Sequence, residues 1–186
     1  MSGSIDRQLF GGALTVVLLN GAVDISELRE IPDNQEVFAH PSTDQSMIIE
    51  ILEYQQIEDK NAVSFHFHDI AESNDSSCSE VQITEEIPLQ QISVKDCCSA
   101  WLLSGKQCIA KFNEQAKNTV NVHMALFRLP QFSTDILMSF NDPEYISASS
   151  SSHIPAEEYN KSQPWTLQQF KQSITTLKVL DTSIFG

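Results

Sequence analysis

The sequence predicts an α+β fold built on a largely antiparallel sheet, and two observations carry that expectation. Apolar, β-branched runs recur in hairpin-like pairs with turn signals between them, as at residues 36–40 with 47–52 and 119–129 with 134–141. Few stretches repeat apolar residues at helical spacing, chiefly 62–71 and the segment after Pro164. At 186 residues the chain is read as one domain, 1–186, long enough to bury a real core.

Taken in order, Leu9-Phe10-Gly11-Gly12-Ala13 leads into an apolar run at 14–19 that suits a buried strand, the glycine pair marking a bulge or turn beside it. Asn20-Gly21 is a turn signal. Asp24 or Ser26 caps a short helix that ends by Pro32, and Pro32-Asp33-Asn34 turns the chain. Residues 36–40 read as a strand. Residues 47–52 have two readings. On a helix, Met47, Ile48, Ile51 and Leu52 form one stripe; on a strand, Ile49 and Ile51 face one side and Ile48 and Leu52 the other. The strand is preferred, because Ile48, Ile49 and Ile51 are β-branched and the helix would be very short. Either element carries Glu50 and Glu53, whose carboxylates must reach water or a cationic partner.

Residues 62–71 fit a helix with Val63, Phe67 and Ile70 inward, and 72–79 form a polar loop. Residues 81–89 read as a strand broken before Pro88, and 90–99 as a short helix or loop. Residues 101–112 resemble a hairpin with Ser104-Gly105-Lys106 at its turn. The 119–129 strand is broken by Pro130-Gln131-Phe132-Ser133 before its partner at 134–141. Residues 147–163 make a Ser-rich loop expected to be mobile. Thr166 is a plausible cap for a last helix whose Leu167, Phe170, Ile174 and Leu177 pack on the sheet, and 179–185 form a docked apolar tail.

Eleven Lys and Arg face 25 Asp and Glu, a formal charge of −14. Such a surface repels the phosphates of nucleic acid and anionic membranes, and it can steer association with a basic protein surface. No apolar run is long enough to span a bilayer and no signal pattern opens the chain. A reducing cytosolic or nuclear setting is therefore expected, with Cys78, Cys97, Cys98 and Cys108 as free, mostly buried thiols. The lack of a heptad pattern suggests a monomer.

No constellation reads as catalytic. His66 and His68, with Asp69, could bind zinc, but on a helix the two imidazoles point apart, so they are read as solvent-facing or capping. A nucleophilic pair of Cys97, Cys98 or Cys108 with His123 lacks a local signature. Glu85-Glu86 is expected by chance in so acidic a chain. Arg128, inside an apolar run, needs an acidic partner or an exposed sheet face. Lys106 and Lys111 mark a solvated face. Neither a metal nor a cofactor is expected.

Several motifs carry a family resemblance. They are Leu9-Phe10-Gly11-Gly12-Ala13, residues 24–38 (DISELREIPDNQEVF), Asp44-Gln45-Ser46, Ile49-Glu50 and Leu52-Glu53. They continue with Phe65-His66-Phe67, Asp69, Ser104-Gly105-Lys106-Gln107, Ala125-Leu126 with Arg128-Leu129-Pro130-Gln131-Phe132, Thr134-Asp135, Phe140-Asn141 and the Asp181-Thr182-Ser183-Ile184-Phe185 tail. Together they resemble the Ran guanine nucleotide release factor family, the Mog-type Ran-binding proteins. The resemblance implies a central antiparallel sheet flanked by helices on both faces, an α/β/α sandwich similar to the photosystem II extrinsic P subunit. It implies binding to the small GTPase Ran, release of its guanine nucleotide and support of nuclear protein import, in nucleus and cytoplasm and without covalent catalysis. It also favours the hairpin reading of 36–53. The family's acidic patch carries over at Glu50 and Glu53; Asp33, Glu36 and Asp44 join it by charge and nearness in sequence alone. The alternative function is an acidic adaptor that binds Ran or another protein without accelerating exchange.

Overall fold

The computed structural model describes residues 6–110, 117–145 and 163–186. Its centre is a seven-stranded sheet in which every neighbouring pair is antiparallel, in the order β3-β4-β5-β9-β8-β7-β6. The strands are β3 (Val23–Asp24), β4 (Gln35–Ala39), β5 (Ser46–Glu53), β6 (Cys78–Glu86), β7 (Ser99–Ala110), β8 (Lys117–Leu129) and β9 (Thr134–Tyr145). A second sheet joins β1 (Asp6–Leu9), β2 (Leu14–Val17) and β10 (Lys178–Val179). Among the described residues two α-helices are present, α1 (Asp59–Ser73) and α2 (Leu167–Ile174). The α+β class, the antiparallel central sheet and the β4–β5 hairpin agree with the sequence reading.

Alternation along β8 divides the core in two. Val120, Val122, Met124 and Leu126 pack with Ala62, Val63 and Phe67 of α1. Ala125, Phe127 and Leu129 belong to a cluster with Phe170 and Ile174 of α2 and Leu9, Leu14 and Val16 of the small sheet. Successive strand residues face opposite sides, so an unbroken apolar run in β8 is what a strand buried on both faces requires.

The local signals explain the ends of the elements. Asp24 accepts from the Ser26 amide at 2.9 Å, but the turn it caps is a single 3-10 turn at Ile25–Glu27. Pro130–Phe132 forms the turn between β8 and β9, with Ser133 in the left-handed region. Thr166 and Gln169 form a reciprocal capping box at the start of α2, with the Thr166 hydroxyl accepting from the Gln169 amide at 3.2 Å. The tail docks as expected, pairing β10 with β2 and setting Phe185 against Phe132 at 5.5 Å between ring centroids.

Three expectations need correction. Residues 101–112 do not form a hairpin: β7 runs unbroken through Gly105. That glycine serves a close approach, since a Cβ there would lie 2.5 Å from the Glu80 carbonyl oxygen and 2.7 Å from the Phe67 ring. The cysteines are not all free thiols. Cys78 and Cys108 are bonded, because the β6–β7 register sets them directly opposite with Cα atoms 5.1 Å apart. Cys97 is free and buried, whereas Cys98 is free and exposed. His66 is not solvent-facing but buried on the inner face of α1. Of the Ser-rich loop expected at 147–163, residues 147–162 lie outside the described residues. No helix among the described residues is long and apolar enough to cross a membrane.

Candidate functional site

The β4–β5 hairpin positions the acidic side chains. Its register pairs Gln35 with Glu50 and Glu36 with Ile49. Directly opposed residues share a face, so Glu36 points with Ile49 into the α2 side and Glu50 points with Gln35 to the α1 side. Glu50 and Glu53 are three apart, and on a strand that spacing sends them to opposite faces.

Glu50 is buried at 9% exposure, and the Gln35 side-chain amide donates to its Oε1 at 2.7 Å. Burial pushes its carboxyl above the ordinary range, and Asp69 adds to this; the Gln35 hydrogen bond and nearby His66 oppose it without cancelling it. Glu53 ends β5 exposed to solvent. At that same end Asn34 accepts from the Ile51 amide at 2.9 Å and returns a side-chain bond to the Ile51 carbonyl, which leaves exposed Asp33 beside it. Glu36 is half-buried and accepts from the Phe10 amide at 2.7 Å, tying the hairpin to the Leu9-Phe10-Gly11 turn. Asp44 lies in the loop at the other end of the hairpin, beyond Ser46, which is itself about 13 Å along β5 from Glu50. The hairpin thus gathers Asp33, Glu50 and Glu53 at one end, while Glu36 and Asp44 stand apart from them.

A buried ionic cluster underlies this end. Arg128 is fully buried, and its Nε donates to Asp135 Oδ1 at 3.0 Å. Its Nη1 donates to the Ile57 carbonyl and to Asp59, both at 3.1 Å, and its Nη2 to the Gln55 carbonyl. The Tyr54 ring covers the guanidinium at 4.1 Å. Asp135 Oδ2 also meets His66 Nε2 at 3.0 Å and accepts from the Gln55 amide at 3.2 Å. Arg128 has the acidic partner that the sequence required, and neither Glu50 nor Glu53 supplies it. The cluster fixes the 54–59 link between Glu53 and α1 from below.

Beside the hairpin, the 25–33 segment exposes Glu27, Glu30 and Asp33 around Leu28, which is 75% exposed. Leu28 was missed by the sequence reading. Its signal was an isolated leucine among charged residues just before a Pro-Asp-Asn turn. Asp24 is held by Arg7 and by Ser26. Burial alone would raise its carboxyl; the bonds from the Ser26 hydroxyl and amide, with the Arg7 charge, bring it below the usual carboxylate range.

The other candidates do not assemble into a reactive site. Cys108 is bonded to Cys78, and burial pushes the Cys97 thiol up to about 11, so neither offers a thiolate at neutral pH. His123 Nδ1 meets the Ser104 hydroxyl at 2.7 Å, and its ring stacks on Phe140. Lys106 pairs with Glu144 at 2.6 Å; Lys111 lies outside the described residues. Among the described residues no three His, Cys, Asp or Glu side chains are grouped to hold a metal ion.

Known proteins resemble this chain along nearly its whole length. A Ran guanine nucleotide release factor from Danio rerio is 55% identical over 98% of this chain and 100% of its own. The protein of the same name from Homo sapiens is 42% identical over 100% of this chain and 99% of its own. A crystal structure of the Saccharomyces cerevisiae Ran-binding protein Mog1p superposes with a TM-score of 0.70 at 27% identity, covering 99% of each chain. The family model described as Ran-interacting Mog1 protein matches residues 7–143, three quarters of the sequence and all of the acidic hairpin — this chain belongs to that family.

Proposed function

We propose that this protein binds the GTPase Ran through the acidic end of the β4–β5 hairpin and promotes release of its guanine nucleotide in support of nuclear import. The observation that carries the reading is the pair of exposed carboxylates, Glu53 and Asp33, at one end of the β4–β5 hairpin in a chain of charge −14. The relatives' names supply the partner and the activity. Glu36 and Asp44 extend the acidic field around the site rather than its centre.

The chemistry needs no covalent step. A GTPase holds its nucleotide through Mg²⁺, the phosphate loop and its lysine. A release factor must bind the nucleotide-poor state more tightly than the loaded one. Carboxylates achieve this by drawing basic GTPase side chains away from the phosphates or by disfavouring Mg²⁺ retention. The partner's location sets the site of action, in the nucleus and cytoplasm. The two core clusters, one with each helix, support the helix–sheet–helix layering that the family resemblance implies.

The test is release of a fluorescent guanine nucleotide from loaded Ran. The native chain should accelerate release. Glu53→Lys should abolish both binding and acceleration while leaving the melting curve nearly unchanged, because an exposed substitution alters stability by about half a kcal/mol or less. Normal binding by this variant would remove Glu53 from the site. Binding by the native chain without acceleration would leave an adaptor instead of a release factor.

A further inference from the structure

β6 ends the central sheet, and no strand among the described residues pairs with its outer edge. All of its residues except Val81 are exposed, including Ile83 at 59%. The Ile87 amide donates inward to the Ala100 carbonyl at 2.8 Å. Antiparallel alternation then turns the amides of Ile83 and Glu85 toward β7 and those of Thr84 and Glu86 outward. Just past the end of β6 lies a cleft of about 230 Å³, with Ile87, Pro88, Leu102 and Ile174 among its walls and Glu86 at its rim. That volume suits one side chain better than a drug-sized ligand.

We propose that β6 is a docking edge for an extended, lysine- or arginine-bearing segment of a partner protein, which adds a strand to the sheet and seats one apolar side chain in the cleft. In this mode main-chain hydrogen bonds give affinity and alternate side chains give specificity. Charge selects the occupant. β6 carries Glu80, Glu85 and Glu86 and no Lys or Arg, and the nearby Lys171 is paired with Glu85 at 3.4 Å. A second copy of the chain is a poor occupant, since self-pairing would align carboxylates from both strands. β6 stands four strands from β5, about 19 Å across the sheet, so this surface is separate from the acidic hairpin and does not rest on the Ran reading.

The probe is a fluorescein-labelled peptide of sequence RVKVTLKV, titrated against the full chain by anisotropy. Saturable binding is expected. It should weaken by about tenfold or more in Thr84→Pro and in Glu86→Lys. A proline whose position lacks an inward N–H is tolerated on an edge strand, and a melting curve checks that the variant is folded. The same peptide with every backbone amide N-methylated keeps its charge but can donate from neither edge, so it should not bind; this arm decides the matter even if Thr84→Pro unfolds. Equal binding of the methylated peptide would reduce the effect to bare attraction by an acidic surface and overturn the proposal. So would absence of binding by the native chain, or dimerisation of the chain through β6.

Discussion

Glu50 and Arg128 are both buried charges, and they behave differently because of what surrounds them. Glu50 has one neutral hydrogen-bond donor, Gln35, and burial raises its folded pKa above the ordinary value. A carboxyl with a raised folded pKa adds stability below its unfolded pKa, and that contribution is lost as pH rises through the folded value. At neutral pH, above its unfolded value, Glu50 is therefore a cost to the fold. Glu50→Gln should raise the melting temperature at pH 7, and the gain should vanish as acid protonates the native carboxyl. Melting curves from pH 4 to pH 8 check this, and an unchanged or lowered melting temperature at pH 7 would contradict the assigned environment.

Arg128 is instead held by Asp135, Asp59, two carbonyls and the Tyr54 ring. Removing one partner of a buried pair leaves the other charge uncompensated, at a cost of about 3–5 kcal/mol. Arg128→Ala should destabilise the chain by that amount in urea unfolding. A loss below about 1 kcal/mol would mean that water reaches Asp135.

At the scale of elements, β6 is the least covered strand, and the Cys78–Cys108 bond fastens its first residue to β7. Closing a loop with a sequence separation of 30 removes unfolded-state entropy worth about 3–4 kcal/mol in the chain-entropy model. Oxidised protein should therefore melt higher than the same protein held in dithiothreitol, and Cys78→Ser should match the reduced form. Coincident melts of oxidised and reduced protein would show that the bond constrains nothing. β7 shows why periodicity misjudged an element. Ser104-Gly105-Lys106 carries a turn's composition, but Gly105 is needed where Phe67 of α1 presses on the sheet. The capping box at α2 is the opposite case. Both of its members lie within one turn, so the sequence holds the whole motif.

For the molecule as a whole, a charge of −14 acts beyond any single contact. Association with Ran, if steered by that charge, should slow by about tenfold or more as salt rises from low to high ionic strength, with dissociation changing less. Stopped-flow association rates measure this, and rates insensitive to salt would remove steering from the account.

The sequence by itself determined the class of the fold, the long strand that became β8, the β4–β5 hairpin, the turn at Pro130 and the cap at Thr166. Each of these depends on residues close together along the chain, where period and turn chemistry act directly. It also held the acidic residues of the hairpin, though as a patch defined by nearness in sequence. The tertiary structure decided which of them stand together. Strand alternation sent Glu50 inward and left Glu53 outside, and the hairpin's length carried Asp44 away. It likewise decided the Cys78–Cys108 bond, the burial of His66 against Asp135 and the partners of Arg128. Those contacts join residues 7 to 73 positions apart, and only the register of the folded sheet and the docking of α1 bring them within reach.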